Sequence, residues 1–349
     1  MAGFEPAWWC RGAHVQTLWA AVIRRPASVP LRRERLELPD GDFVDLDWVD
    51  PAHGPIVILL HGLEGSSRSR YARGMLQALG RHGFRAVLMY FRGCAGEPNR
   101  LARSYHSGET GDLDFLVQTL KKREPHTALA LVGFSLGGNV LLKWLGENAG
   151  RAPVETAVAV SVPFMLADSV RRMERGFSQI YQWKLLASLR RSLKRKFARR
   201  PCPIPLAGLS RLRGFRDFDE HITAPLHGFR GAEHYYAAAS SRPFLRRIEV
   251  ATLVVHAADD PFMTPSVIPS AEELSPAIRF ELSRHGGHVG FVAGPWPWQA
   301  RYWLEERIPA WLHQQLSARG EIPPARHAQE NAETRNPPAA APVFAQRSK

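Results

Sequence analysis

The sequence predicts an α/β fold in which a mostly parallel sheet follows an antiparallel hairpin near the N-terminus. Short apolar runs that are continuous rather than alternating are typical of strands buried on both faces of a parallel sheet. Six such runs are present: Ile56–Leu60, Arg85–Tyr90, Ala128–Val132, Thr156–Val162, Thr252–His256 and Ile278–Leu282. Helical stretches between most of these runs can form the crossovers that parallel strands require. They are Tyr71–Arg81, Gly111–Arg123, Gly138–Asn148 and Trp298–Leu316.

The predicted hairpin is centred on the turn pair Asp40-Gly41. This pair separates Arg35–Pro39 from Val44–Trp48, where apolar side chains alternate with aspartates. Alternation at period two places the apolar side chains on one face, and Asp-Gly is a frequent turn between antiparallel strands. We therefore expect an antiparallel edge ahead of the parallel strands.

Composition and charge exclude several classes of protein. The 349 residues are 45% hydrophobic, which is enough for a large core and excludes a wholly disordered, collagen-like or coiled-coil chain. The net charge is +13, but no nucleic-acid-binding motif accompanies it, so we expect no nucleic-acid partner. Three scattered cysteines favour a reducing compartment, and no apolar stretch reaches the ~18–20 residues that cross a bilayer. These features predict a cytoplasmic protein.

One connection is much longer than a simple crossover. It runs from Pro163 to Ala251 and holds the basic, helix-like segment Arg171–Arg200. We interpret residues 163–251 as a helical cap inserted into a single domain that spans residues 1–319. From Gly320 to Lys349 the sequence is rich in Pro and Ala without apolar periodicity, which predicts a disordered tail over residues 320–349.

A nucleophile motif lies between a predicted strand and a predicted helix. The motif is Gly133-Phe134-Ser135-Leu136-Gly137, and it follows Ala128–Val132 directly. A nucleophile elbow requires a tight strand-to-helix turn, and the two glycines permit the strained backbone that lifts the Ser135 hydroxyl away from the sheet. The alternative is a glycine-rich turn that only packs the helix on the sheet.

A serine nucleophile requires a base and a group that orients the base. Asp259 and Asp260 follow one predicted strand, and His285 and His288 follow the next. The chain order Ser, Asp, His is that of α/β-hydrolases. We predict Ser135, Asp260 and His288 as the catalytic residues, with Asp259 as the less favoured alternative for the acid and His285 for the base.

The oxyanion that forms on the substrate carbonyl requires backbone N–H donors. In this arrangement one donor follows the nucleophile and the other follows the third strand, which predicts Leu136 and Leu63. Leu63 lies in the glycine-containing stretch His61-Gly62-Leu63-Glu64-Gly65. None of the His or Cys spacings typical of zinc sites is present, so we expect neither a metal nor a cofactor.

Motifs along most of the chain resemble those of the YheT-like hydrolases, the AB hydrolase 4 family of the α/β-hydrolase superfamily. The resemblance runs from about Phe4 to about Leu316. Its motifs are Trp8-Trp9, His14-Val15-Gln16-Thr17, the stretch 61–65, Phe91–Asn99, Ser104–Glu109, Gly133–Asn139, Thr223-Ala224-Pro225, Asp259–Phe262 and Gly286–Phe291. The resemblance implies an α/β-hydrolase fold, carboxylic ester hydrolysis on medium-chain or lipid-like acyl esters, and Ser135, Asp260 and His288 as the catalytic residues.

Several motif residues have no evident part in the chemistry. Arg92, His106 and Glu109 follow the fourth core strand, where they either border the pocket or, as we favour, hold loops by hydrogen bonds. His14 and Gln16 are expected to pin the N-terminal arm to the domain.

The predicted cap bears on the substrate and on partners. Aromatic residues supply apolar material for an acyl pocket: they are Phe164, Phe177, Tyr181, Trp183, Phe197, Phe215 and Phe229. Seven basic residues lie close together without an acid among them: Arg190, Arg191, Lys194, Arg195, Lys196, Arg199 and Arg200. They form either a solvated helix face or a contact with an anionic membrane surface.

The sequence thus predicts a serine carboxylic ester hydrolase that works through an acyl-enzyme on a small-molecule acyl ester. Two alternatives remain open. An acyltransferase would pass the acyl group to an alcohol instead of water, and a non-catalytic lipid-binding protein would retain only the fold.

Overall fold

The structure is a computed structural model that describes residues 3–50 and 53–320. Apart from Gly320, the predicted disordered tail lies outside the described residues. No helix in the described ranges is long and apolar enough to cross a membrane.

Eight strands form the central sheet, in the order β1-β2-β4-β3-β5-β6-β7-β8. They are β1 (Arg32–Glu37), β2 (Phe43–Val49), β3 (Ile56–Leu60), β4 (Arg85–Met89), β5 (Leu129–Phe134), β6 (Thr156–Val160), β7 (Ala251–Ala257) and β8 (Ile278–Ser283). Strand β2 is antiparallel to both β1 and β4, and the remaining pairs are parallel. The predicted class, a mostly parallel sheet preceded by an antiparallel hairpin, is confirmed.

Ten α-helices and a small hairpin complete the described fold. The helices are α1 (Ala13–Leu18), α2 (Arg70–Arg81), α3 (Gly111–Arg123), α4 (Leu136–Asn148), α5 (Leu166–Met173), α6 (Ser178–Phe197), α7 (Phe215–Phe218), α8 (Ala224–Leu226), α9 (Ala232–Ala239) and α10 (Leu304–Ala318). The hairpin pairs β9 (Val292–Ala293) with β10 (Arg301–Tyr302).

The sheet is covered by helices on both faces. Strand β3 divides its fully buried side chains between the two faces: Ile56, Ile58 and Leu60 join the core on the side of α3 and α4, and Val57 and Leu59 join the core on the side of α2 and α10. A strand buried on both faces requires this continuous hydrophobicity, so the pattern that predicted β3 also explains its position at the centre of the sheet.

The antiparallel edge that the hairpin predicts is confirmed, with β1 as the outermost strand. The aspartates of β2 are buried beneath arginines of β1. Arg35 pairs with Asp45 and Arg33 with Asp47. At the opposite side, β8 is the edge strand and is only partly buried, with Leu282 50% exposed, whereas its sequence predicts burial on both faces. An apolar run does not reveal how many neighbours its strand will have.

Two helices have bounds that differ from those that the sequence predicts. The final helix begins at Leu304 instead of Trp298, because β10 occupies Arg301–Tyr302. The basic segment Arg171–Arg200 contains the end of α5 and all of α6, with Gly176 at a φ of +56° between the two helices. Glycine adopts this left-handed conformation without steric cost, which allows the chain to break the helix there.

Helices α5 to α9 lie in the connection between β6 and β7, where the sequence predicts the cap. We call this segment the β6–β7 connection. It has its own apolar cluster, which includes Leu186, Leu193 and Phe218, and Leu63 and Phe262 of the strand-end loops pack against it. The connection therefore covers the carboxyl ends of the parallel strands, where ligand sites of α/β sheets are commonly found.

Candidate active site

Ser135 lies at the sharp turn between β5 and α4. Its φ of 52° and ψ of −118° form a conformation that residues other than glycine rarely adopt. A Cβ atom at Gly137 would lie 2.6 Å from the carbonyl oxygens of Leu60 and His61, and one at Gly133 would lie 2.6 Å from that of Gly137. The glycines therefore permit close packing around the turn, while Ser135 itself adopts the strained backbone that the sequence analysis attributed to them.

The structure brings Ser135, His288 and Asp260 together. The Nε2 atom of His288 lies 2.9 Å from Oγ of Ser135, and Nδ1 lies 2.8 Å from Oδ2 of Asp260. Because a carboxylate only accepts hydrogen bonds, Nδ1 carries the proton and Nε2 is free to accept one from the Ser135 hydroxyl. This is the geometry by which a histidine can activate a serine nucleophile.

Of the two neighbouring aspartates, Asp260 is the one that contacts His288. Its Oδ1 accepts a hydrogen bond of 2.8 Å from the N–H of Phe262. The Phe262 ring stacks on the His288 imidazole, with the ring centroids 3.9 Å apart and an angle of 9° between the ring planes. Asp259 instead accepts from the N–H of Gly287 at 2.9 Å and lies 3.5 Å from Nδ1 of His285. Asp259 thus supports the loop that carries His288, and His285 lies outside the Ser135 contact.

The loop that carries His288 is held by side chains distant in sequence. The backbone N–H of His288 donates to Oγ1 of Thr17 at 2.9 Å, and that of Val289 donates to Oγ of Ser161 at 3.1 Å. Val289 has a φ of 58°, so its strained backbone is stabilised by these contacts. The sequence analysis missed Thr17, Ser161 and Phe262 as residues that position the site.

The N-terminal arm reaches the same loop through Gln16. Its Nε2 donates to the carbonyl oxygens of Cys10 and Val292 at 2.6 and 3.0 Å, and its Oε1 accepts from the N–H of Val292 at 2.6 Å. His14 lies 3.1 Å from the hydroxyl of Tyr181 in α6. The sequence signal for Thr17 as a positioning residue is the motif that contains His14 and Gln16, because Thr17 is the last residue of that motif.

The stretch after β3 lies directly against Ser135. A Cβ atom at Gly62 would lie 3.3 Å from Cβ of Ser135, so a larger residue would have to displace its neighbours slightly. The N–H of Gly62 donates to the Tyr71 hydroxyl at 2.8 Å, and the N–H of Glu64 donates to the Tyr105 hydroxyl at 2.9 Å. These bonds fix the backbone on both sides of Leu63.

Leu63 and Leu136 both line the cavity beside Ser135. The stretch is further held by His61, whose Nδ1 lies 2.7 Å from the carbonyl oxygen of Gly62 and whose Nε2 accepts from the N–H of Phe91 at 3.2 Å. Burial lowers the pKa of His61 to about 4, so its ring is neutral and serves as a scaffold.

The cavity opens between the strand ends and the β6–β7 connection. Its empty volume, including the open mouth, is about 850 Å³. Most of the connection's side of the cavity is apolar: it consists of Leu166, Val170, Met173, Leu185, Leu189, Phe215 and Phe218. Of the aromatic residues that the sequence analysis proposed for this role, Phe215 lines the cavity, whereas Phe177 and Trp183 are exposed. An enclosed, mostly apolar cavity suits an acyl chain.

Of the remaining motif residues, two hold loops in place and one lines the cavity. Arg92 is buried and binds Asp112 through two hydrogen bonds of 2.7 and 2.5 Å, with further contacts to Asp40 and Asp42. It is therefore structural, as we favoured. Glu109 is likewise buried and binds Arg103. His106 lines the cavity and borders the pocket instead.

Metal-binding groups can be assessed over the same part of the chain. In residues 3–50 and 53–320, no group of three or more His, Cys, Asp or Glu side chains is arranged to hold a metal ion.

Comparisons with known proteins agree with this architecture. Residues 55–295 match the family model described as the alpha/beta hydrolase fold. The chain is 46% identical to YheT of Escherichia coli (strain K12), which bears the provisional name of an esterase, over 91% of this chain and 95% of that protein. It is 29% identical to phospholipase ABHD3 of Mus musculus, over 86% of this chain and 75% of that protein. Among solved structures, the Pyrococcus furiosus esterase Pf2001 is similar, with a TM-score of 0.54 and 15% identity over 84% of this chain and 98% of that one.

Proposed function

Because the chain belongs to the alpha/beta hydrolase fold family, we propose that this hydrolase is a serine carboxylic ester hydrolase acting on medium-chain or lipid-like acyl esters. One observation carries the proposal: the hydrogen-bonded series Ser135, His288 and Asp260 opens into a largely apolar cavity. The esterase and phospholipase names of the relatives are consistent with ester chemistry of this kind.

In the proposed first step, Oγ of Ser135 attacks the ester carbonyl while Nε2 of His288 takes its proton. Asp260 holds the proton on Nδ1 and stabilises the imidazolium that forms. The N–H groups of Leu63 and Leu136 would stabilise the negative charge that develops on the carbonyl oxygen. His288 then returns the proton to the leaving alcohol, which leaves the acyl group on Ser135. Water, activated by His288, releases the acid in the second step.

The test is hydrolysis of p-nitrophenyl esters of increasing acyl length by the wild type, by Ser135→Ala and by Ser210→Ala. Ser210 is exposed and serves as the matched control. We expect Ser135→Ala to lose about 10⁴-fold or more in kcat/KM, with Ser210→Ala unchanged. Turnover by Ser135→Ala close to that of the wild type would refute the mechanism, and a wild type that cleaves no ester would refute the activity. Added alcohol that traps the acyl group in place of water would instead favour the acyltransferase.

We also propose that α6 brings the protein to an anionic membrane surface. Phe177, Ile180 and Trp183 are exposed at the start of the helix, with Trp183 69% exposed. Among the seven basic residues of the segment, Lys196 is buried and Arg190 and Arg200 are half-buried, while Arg191, Lys194, Arg195 and Arg199 are exposed. Exposed aromatic side chains beside exposed positive charge are typical of helices that lie on anionic lipid.

Sedimentation with phosphatidylglycerol and phosphatidylcholine vesicles tests this contact. We expect binding to the anionic vesicles at low salt that weakens at high salt. The double variant Arg191→Glu/Lys194→Glu should lose it, whereas Arg247→Glu/Arg284→Glu, which changes net charge equally at exposed sites elsewhere, should retain it. Equal binding by both variants, or none by the wild type, would refute the proposed surface.

A further inference from the structure

The largely apolar cavity contains one carboxylate, on the side formed by the β6–β7 connection. Asp219 begins the π-helical turn Asp219–Thr223 and lines the cavity that Ser135 also lines. Its carboxyl group lies deep within the protein, and the residue as a whole is partly exposed. A buried carboxylate in an apolar cavity is costly unless a partner compensates it, so its partners decide what it can do.

Two neutral hydroxyl groups donate to Asp219. Thr223 Oγ1 donates to Oδ1 at 2.6 Å, and the Tyr236 hydroxyl donates to Oδ2 at 2.8 Å. Among the described residues no Lys, Arg or His side chain forms an ion pair with it. Each carboxylate oxygen can accept a second hydrogen bond, so Asp219 has accepting capacity left on a surface that faces the cavity.

A neutral donor lines the same cavity. Nδ1 of His106 accepts from the N–H of Gly108 at 3.1 Å, so the ring proton is on Nε2. The carboxylate oxygen of Glu109 is 3.7 Å from Nε2, beyond hydrogen-bonding distance. Burial and the charges of His227, Arg103 and Lys143 lower the pKa of His106 to about 3, which keeps the ring neutral.

These groups are connected through shared neighbours. The rings of His106 and His227 are 5.0 Å apart, and Nδ1 of His227 lies 2.7 Å from the carbonyl oxygen of Thr223. The centroid of the Tyr235 ring lies 5.9 Å from that of His106 and 5.3 Å from that of Tyr236. Asp219 and His106 are thus linked through Tyr236 and Tyr235, and both line the largely apolar cavity.

The chemistry of the cluster selects among ligand groups. A ligand carboxylate would be repelled by Asp219. A ligand ammonium only donates hydrogen bonds, so it could not accept one from the Nε2–H of His106. A plain hydrocarbon chain would remove the remaining solvation of Asp219 without replacing it. A hydroxyl group both donates and accepts and carries no charge, so it suits an acceptor beside a neutral donor.

We propose that Asp219 is a specificity-determining residue that selects esters whose acyl chain carries a hydroxyl group. The hydroxyl donates to the carboxylate of Asp219, and the rest of the chain packs against the apolar side chains. This inference rests on the proposed ester hydrolysis and names the substrate class of the same site.

The test is competition between ethyl octanoate and its 3-, 6-, 7- or 8-hydroxy derivative in one reaction, with the released acids measured by mass spectrometry. The product ratio gives the ratio of the two kcat/KM values and does not depend on the fraction of folded enzyme. We expect the wild type to prefer at least one hydroxylated ester by roughly tenfold, as for one hydrogen bond to a charged group.

Asp219→Leu should abolish that preference while it still hydrolyses the plain ester. Asp217→Leu, an exposed aspartate two residues away, is the matched control and should keep the preference. Asp219→Val provides a second variant without a hydrogen-bond acceptor if the leucine does not fold. No hydroxylated ester preferred by the wild type, or a preference that survives in the Asp219 variants, would overturn the inference. Failure of the ester hydrolysis itself is distinct, because the wild type would then release neither acid.

Discussion

The two sides of the cavity are built in different ways. On the sheet side, backbone groups at the strand ends hold the site. Ser135 has a φ of 52°, and the loop that carries His288 is held by hydrogen bonds from the backbone N–H groups of His288 and Val289. On the side of the β6–β7 connection, buried polar side chains hold the structure, such as Asp219 with Tyr236. The sheet side therefore places the reacting atoms, whereas the connection can change its side chains and with them the substrate.

Buried polar contacts attach the connection to the rest of the domain, in addition to the apolar packing of Leu63 and Phe262 on it. Asn139 of α4 donates to the carbonyl oxygens of Ser107 and Ala239 and accepts from the N–H of Ser241. Lys196 donates to Asn99 and to the carbonyl oxygen of Arg103 at 2.7 and 2.5 Å. Such contacts fix one arrangement, because leaving any of these buried groups unpaired is costly.

After Ser135→Ala, the largest effect is expected on the sheet side, from the paired variants Asp260→Asn and Asp259→Asn. Asp260→Asn should lower kcat by about 10³–10⁴-fold, since an amide can donate to Nδ1 and favour the wrong histidine tautomer. Asp259→Asn changes a residue that contacts the loop backbone and should stay within about tenfold of the wild type. Steady-state kinetics on a p-nitrophenyl ester distinguishes them. Equal losses would mean that the two acids share the orienting role.

The next effect concerns the stability of the connection. Burial raises the pKa of Asp219 from its ordinary 3.8 to about 6. A raised carboxyl pKa gives a contribution to stability that is complete below pH 3.8 and is lost as the pH rises through about 6. Above that pH the wild type carries the cost of a buried charge. Asp219→Asn, which cannot ionise, should therefore unfold at higher urea and be more stable by about 1–3 kcal/mol at pH 8.

The pH dependence is the control for that prediction. The difference between Asp219→Asn and the wild type should shrink by about half at pH 5, where the folded wild type is mostly protonated at this site. A difference that is the same at both pH values would show that the substitution acts through packing and not through charge. A variant less stable than the wild type at pH 8 would contradict the prediction.

The smallest effect is expected from Thr17, which connects the N-terminal arm to the His288 loop. Thr17→Val keeps the shape of the side chain but removes the oxygen that accepts from the N–H of His288. We expect about a tenfold loss in kcat with KM unchanged, the size expected for one buried unpaired donor. Thr17→Ser restores the oxygen and should recover most of the activity. A rise in KM alone would place Thr17 in substrate binding instead.

Much of the fold and of the candidate site is predictable from local sequence. Strand β3 and helix α3 have the predicted bounds, since a central strand and its crossover helix have patterns set by their immediate surroundings. The serine motif predicts its turn because only a few residue types permit a strand to enter a helix so abruptly. The proximity of Ser135, Asp260 and His288 is predictable because each follows a parallel strand, β5, β7 or β8, and the carboxyl ends of these strands meet at one edge of the sheet.

Tertiary structure alone decided what depends on neighbours distant in sequence. The exposure of β8 depends on the absence of a further strand beside it in the described sheet. The contact of His288 with Asp260 instead of Asp259 depends on how one loop packs on another. Ser161 and Asp219 have ordinary sequence surroundings, and they acquire their roles from the groups they meet in space. Local patterns record which face of an element is apolar, but burial, pKa and hydrogen-bond partners are set by the three-dimensional environment that the whole chain creates.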